Sequence, residues 1–497
     1  MTPASVEQPR LRTALATARG RGLIVVLATF VVSRVVIWST GGHFRVGYLR
    51  WGIQLLDWTQ LGAHPFESVY HLHTQPPLFN LFVGIVLRWS PFAAGLSFQV
   101  LYVLFALVMV LGCYRLGFDL GGGAGVATVA AVLVVLNPVL LSFENSVTYE
   151  MPTMMLLVLG ALAFVRWART GTVWSFAALT AATTATVMTR ALMHPVWLVV
   201  VLGLAFLLRR PVTWRPVLLA VGVACLLVGG WMVKNAILFD TPTMSSWFGM
   251  NLHRAVIAPL DRGDFERLVR DGEVSRVSRA GTFGDYRVYE PYIGPCRSHT
   301  GEPTLDRLRK IDPVPNFNAE CYLPLYAQFQ DDALAALVAR PGRYLETRGV
   351  GLARFAEPQR APQAPRSAVV SWLDRVYDRA SLPVDLSIGM RGWAFPLLKA
   401  KALDVAPSIT VVIALLLVLA RGLLAVARAL ARRARDGDAG WVFVGWTVVF
   451  VLACSTLLEL GENDRFRVLV DPLVIVGAVV IAGNGLIRAW HASRTRA

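Results

Sequence analysis

Apolar residues along this chain fall in long unbroken runs, such as "GLIVVLATFVVSRVVIWS", "FQVLYVLFALVMVLGCYRLGF", "RPVLLAVGVACLLVGGWMV" and "ITVVIALLLVLARGLL". Such runs approach or reach the roughly 20 residues that cross a bilayer as helix. A strand of a membrane barrel would alternate polar and apolar positions, and these runs do not. In lipid each backbone polar group must find its partner inside the segment, which a helix achieves. The pattern therefore predicts an all-α polytopic membrane protein with about ten transmembrane helices. They lie near 22–40, 97–117, 124–143, 152–168, 173–190, 193–208, 214–234, 405–430, 439–459 and 467–488. The first run is longer than the core of a signal peptide and has no small-residue cleavage site after it, so it reads as an uncleaved span.

One run departs from the pattern. "PPLFNLFVGIVLRW", bounded by Pro76-Pro77 and Ser90-Pro91, would be about 21 Å long as a helix against a core of about 30 Å. It reads as a re-entrant half-helix. Charge supports this: only if the short run does not cross do "RWART", "RRPVTWR", "RGLLAVARALARRARDGD" and the tail "RAWHASRTRA" share one side, as cytoplasmic loops should. Three parts follow. Residues 1–239 form an N-terminal transmembrane module with outer loops at 41–96 and 144–151. Residues 240–404 form an extracytoplasmic mixed segment, and 405–497 the C-terminal transmembrane helices. Within the outer segment, 331–355 reads as two amphipathic helices joined at Pro341-Gly342, and the proline-rich 357–365 as a loop.

Composition adds two exclusions. Hydrophobic residues make up 55% and charged residues 16% of the chain, with a mean hydropathy of +0.53; this is no set of soluble domains. The net charge of +16 sits beside the apolar runs and follows the membrane rule, so a nucleic-acid partner is not expected. Of five cysteines, Cys113, Cys225 and Cys454 fall in apolar runs. Cys296 and Cys321 fall in the polar segment and would form a disulfide in an oxidising compartment.

Polar clusters then collect on the outer side. In "GYLRWGIQLLDWTQL", Arg50, Gln54 and Asp57 recur at helical spacing beside an aromatic stripe, as in an interfacial helix presenting Asp57. "FENSVTYEMP" carries Glu144 and Glu150, the latter also placed to favour a helix N-terminus. "ELGENDRFRVLVDPL" carries Glu462, Asp464, Arg465 and Arg467, basic residues on the side where they are unexpected; an arginine's planar fork suits phosphate. Arg190, Lys234 and Arg254 stand near outer span ends. His71 and His73, with His64 upstream, have no acid or cysteine to complete a metal set, so they and Gln75 read as hydrogen-bonding groups. The sequence requires no cofactor and leaves a divalent metal unknown.

The pieces "QPPLFNLFVGIVLRW", "LNPVLLSFENSVTYEMP", "GGWMVKNAILFDTP", "ARPGRYLETRGVGLARF" and "ENDRFRVLVDPLVIV", in this order, resemble the GT-C superfamily of membrane glycosyltransferases. The likeness is to its branch with protein O-mannosyltransferases and the lipid-A aminoarabinose transferase. The resemblance implies transfer of a sugar from a polyprenyl-phosphate donor to an envelope glycan, lipid or protein on the outer face of a bacterial cytoplasmic membrane. In that reading Asp57 is the base, since it and Glu67 are the acids the first outer loop offers, and Glu150 orients the acceptor or a metal. Arg465 and Arg467 hold the donor phosphate with Lys234. His71, His73, Gln75, Glu144 and Glu462 line the cavity. Single displacement would invert the anomeric centre. An outer-face polymer ligase, a lipid-linked sugar transporter and a non-catalytic envelope-assembly protein remain as alternatives.

Overall fold

In a computed structural model, the structure describes residues 17–90, 92–209, 213–312, 314–359, 367–384, 386–388, 403–435 and 437–495. Most of the proline-rich loop expected at 357–365 and much of the stretch before residue 403 lie outside them. Among the described residues seven helices are long and apolar enough to cross a membrane: Ala18–Ser39, Ala94–Asp119, Glu150–Thr170, Arg215–Phe239, Ile409–Leu430, Asp438–Leu458 and Asp471–Arg494. The protein is a multi-pass α-helical membrane protein.

The other three expected spans are helical but depart from a simple crossing. Val173–Thr189 and Pro195–Leu208 have 17 and 14 residues, about 26 and 21 Å of rise. The run at 124–143 is broken into Ala124–Val135 and Pro138–Glu144, bent by 58°. The cause is local. Pro138 has no amide to continue the ladder, and the Asn137 side chain caps the second helix by accepting from the amides of Val139 and Leu140. The short run expected to dip into the membrane is the 13-residue helix Pro77–Trp89.

A single large core joins these helices, with Phe98, Phe164, Trp167, Trp197, Trp441 and Phe443 at its centre. Ile409–Leu430 and Asp438–Leu458 approach closely. A side chain at Gly422 would fall 2.5 Å from the Gly445 Cα, the close approach that small residues permit between membrane helices. Outward faces stay apolar: Leu219, Leu226 and Ile237 are 69%, 72% and 77% exposed, a surface that suits lipid better than water.

Residues 240–359 fold beside the bundle as short helices with their own aromatic core of Trp247, Tyr289, Phe317, Tyr322 and Phe329. Tyr322–Ala339 and Pro341–Phe355 are the two helices expected around Pro341-Gly342. Cys296 and Cys321 are disulfide-bonded, their Cα atoms 5.7 Å apart. A two-stranded antiparallel ribbon pairs Leu386–Ile388 with Leu403–Val405.

"YHLHT" (70–74) fastens this segment to the bundle. Past Tyr70, the last residue of the helix Pro65–Tyr70, it is not helical, so these carbonyls need partners from elsewhere. Lys234 Nζ donates to Tyr70 O and Leu72 O at 3.1 and 2.6 Å. Asn318 Nδ2 donates to His71 O, the Ser246 amide to His73 O and Ser245 Oγ to Thr74 O. Five consecutive carbonyls are thus satisfied by side chains and loops far away in sequence, and Pro77 then restarts the helix.

Candidate active site at the ends of the bundle helices

The first outer loop meets the second through a backbone bridge. The Arg45 amide donates to Asn145 O at 2.8 Å and the Val147 amide to Arg45 O at 3.3 Å. This brings Tyr48 toward Tyr149 and Glu150, at the start of Glu150–Thr170. Arg465, on the short helix Asn463–Val468, reaches the same point. Its Nε donates to Glu150 Oε1 at 2.8 Å, Nη2 to the Tyr149 hydroxyl at 2.9 Å and Nη1 to Glu462 at 3.4 Å. Arg190 follows Val173–Thr189 and lies over the Tyr149 ring, 3.9 Å from its centroid, with Phe466 at 5.1 Å. Arg254 donates to Glu459 at 2.5 Å.

Arg348 fixes the frame of this cluster. It donates to Thr456 O, Leu457 O and Glu459 O at 2.6, 3.2 and 3.3 Å, and to Ala255 O at 2.7 Å. The last carbonyls of Asp438–Leu458, which a helix end leaves without partners, are thereby tied to the residue that follows Arg254. Gly461 adopts φ 123°, in the region that favours glycine, and the loop between Glu459 and Glu462 turns there. Its amide donates to Asn463 Oδ1.

Three arginines and three glutamates therefore meet with their charges nearly balanced, but their hydrogen bonds are not complete. Glu150 Oε2, Arg190 Nε and Arg254 Nε are buried without a hydrogen-bond partner. Leaving such atoms unpaired costs about 1–3 kcal/mol each, more when charged. Burial, reinforced by Arg465, pushes Arg190 down to about 9, so its charge is held against the environment's preference. Burial alone would raise Glu462, but Arg465, Arg254 and Arg190 hold it below the ordinary carboxylate value. For Arg254 burial again opposes the charge, and Glu459 and Glu462 override it. Burial lifts the Tyr48 phenol to about 12, which leaves it a hydrogen-bonding group. The cluster is a buried group of near-balanced charges in which three atoms are left without hydrogen-bond partners.

Of the residues expected at a site, the structure brings Glu150, Glu462 and Arg465 together, with Arg190 and Arg254. Others belong elsewhere. The helix expected to carry Arg50, Gln54 and Asp57 is interrupted: Tyr48–Trp51 ends at Gly52, and Asp57 is the N-cap of Trp58–Ala63. Its oxygens accept from the Thr59 amide at 2.9 Å, the Thr59 hydroxyl at 2.5 Å and the Ile311 amide at 2.6 Å. Burial works against that charge, yet these bonds hold Asp57 below the usual carboxylate range. Arg467, expected on phosphate, donates to Phe355 O, Glu357 O and Asp471 Oδ1 and is buried there. Lys234 serves the carbonyls of Tyr70 and Leu72.

Glu144 is paired with Arg34 of the first helix, and both are buried. His73 and Gln75 are buried. His73 sits between Ser246 Oγ and Asn318 O, where burial pushes it down to about 3; it is a neutral packing group. His71 lies 3.5 Å from Glu302. Among the described residues no three His, Cys, Asp or Glu side chains converge as a metal set. Tyr149 and Glu459 were not singled out by the sequence, although each stands within three residues of one that was.

No family model matches the chain, and no curated relative matches it. Among solved structures it is similar to apo ArnT from Cupriavidus metallidurans, at 14% identity over 89% of this chain and 77% of that one, with a TM-score of 0.31. A likeness that distant assigns no chemistry to the site.

Proposed function

We propose that the protein is a glycosyltransferase that moves a sugar from a polyprenyl-phosphate donor to a hydroxyl of an envelope glycan, lipid or protein, with inversion, on the outer face of the cytoplasmic membrane. The observation that carries this reading is the buried cluster in which one carboxylate oxygen and two guanidinium nitrogens have no partner. An acid facing an acceptor and two cations facing a phosphate are what displacement at an anomeric carbon requires. The motif order, which resembles the GT-C superfamily, supports the same chemistry, and the basic loops gathered on the opposite side support the outer face.

In this mechanism the acceptor oxygen attacks the anomeric carbon as the bond from that carbon to the phosphate oxygen breaks. The proton passes to Glu150 Oε2, and the electron pair leaves with the phosphate, where Arg190 and Arg254 stabilise it. Arg465, committed to Glu150 Oε1 and Tyr149, orients the base rather than the donor. Asp57 is not assigned as the base because its oxygens already accept three hydrogen bonds. A lipid carrier accounts for a charged site at the ends of membrane helices, since its tail remains in the bilayer.

The test is turnover of a panel of radiolabelled polyprenyl-phosphate sugars by the protein in nanodiscs, with and without envelope extract. Carrier release that requires extract supports a transferase and identifies its donor. Binding without release sinks it in favour of a transporter or a non-catalytic assembly protein.

A further inference from the structure

The helix that begins at Glu150 ends about 30 Å away beside a second concentration of charge. A cavity of about 420 Å³ there is lined by Arg115, Asp119, Leu162, Val165, Arg166 and Arg169, within the range of small-molecule sites. Asp119 is buried and accepts from Arg169 Nη1 at 2.5 Å and Arg115 Nε at 3.3 Å. Each of these arginines spends one nitrogen on the acid and keeps the rest of its fork. Arg166 is exposed and joins no ion pair among the described residues. Arg209 lies over the turn that follows, its Nε 2.9 Å from where a side chain on Gly171 would begin. Three arginines line a cavity that holds one acid, and a fourth stands at the turn beside it.

Arginines that only obey the positive-inside rule need no cavity. Here three of them line one, and its other walls, Leu162 and Val165, are apolar positions of a membrane-crossing helix. A free anion would neutralise the arginines and leave the partly exposed Leu162 wet. A lipid headgroup brings its phosphate to the arginines while its glycerol and first methylenes cover Leu162 beside the buried Val165. Basic pockets between membrane helices take anionic headgroups in this way.

The geometry points to a binding site for the phosphodiester headgroup of an anionic glycerophospholipid, between the ends of Ala94–Asp119 and Glu150–Thr170. The site is remote from Glu150, and its test does not depend on any transferase activity.

The experiment is native mass spectrometry of the full-length protein released from detergent with phosphatidylglycerol or with phosphatidylcholine of equal chain length. Phosphatidylglycerol is retained preferentially. Arg166→Gln and Arg209→Gln each lower that retention about fivefold without moving the melting temperature. Arg166→Lys recovers most of it, and Arg488→Gln, at a residue that does not line the cavity, leaves it unchanged. Equal retention of the two lipids, or a preference untouched by both glutamine variants, overturns the proposal. Inorganic phosphate that binds in an Arg166-dependent manner without any lipid preference overturns it too, by assigning the cavity to a free anion.

Discussion

Glu144 and Glu150 stand six residues apart, both buried, each against an arginine from a distant helix, yet their surroundings differ. Arg34 grips Glu144 with two nitrogens, and Nη1 donates to Ser33 Oγ and Val135 O. Val135 is the last residue of the helix that ends at the break, so one cation neutralises an acid and also serves a carbonyl that the break sets free. No atom of that pair is left without a partner. Around Glu150 the charges balance as well, but an oxygen of Glu150 and a nitrogen each of Arg190 and Arg254 are left over. The first assembly is complete without anything else, as a structural ion pair must be. The second leaves three atoms unpaired, as the proposed binding of donor and acceptor would require, and pair balance alone would not have told the two apart.

Substitutions separate the two. The largest effect is expected at Arg34→Ala, which strands Glu144 in the bundle and costs about 3–5 kcal/mol of stability; a melting temperature close to wild type would deny the pair its structural role. Glu150→Gln keeps shape and burial, and transfer falls at least about hundredfold while the fold melts as before, read by turnover in nanodiscs. Arg190→Gln removes a cation whose Nε is unsatisfied. Donor affinity drops about tenfold, as for one charge-assisted hydrogen bond, and acceptor dependence stays the same; an equal change in both would place Arg190 outside the phosphate site.

The smallest effect is at Asp57→Ala, about 1 kcal/mol for a lost helix cap, seen as a modest fall in melting temperature. Because the folded protein holds the Asp57 pKa below its unfolded value of about 3.9, the carboxylate's contribution is present above that pH. It fades as pH falls through the folded value, so wild type and variant converge in acid. A loss of turnover by Asp57→Asn on the scale of Glu150→Gln would return the base to Asp57.

What the sequence could and could not reveal follows the same division. Hydrophobic run length located the helical segments, because lipid imposes it locally. The break at 136–138 was written in Asn-Pro, yet a window of apolar residues passes over it. Glu150 and Arg465 were visible as charges where the membrane discourages them. Arg467 looked equivalent to Arg465, two residues away, and that spacing is what separates them: in so short a helix it turns one guanidinium toward Glu150 and the other toward Phe355 O and Glu357 O. Asp57 looked like a presented acid because helical spacing was read through Gly52, where the helix ends. Whether a polar atom is satisfied depends on partners more than a hundred residues away, such as Asp57 with Ile311 or Lys234 with Tyr70, and no local pattern records them.

The most direct test of the central claim is carrier release by wild type and Glu150→Gln in nanodiscs loaded with the same radiolabelled polyprenyl-phosphate sugar, with donor binding measured in parallel. The account predicts that both bind the donor and that only wild type releases the carrier when acceptor is added. Release by Glu150→Gln at the wild-type rate would contradict it.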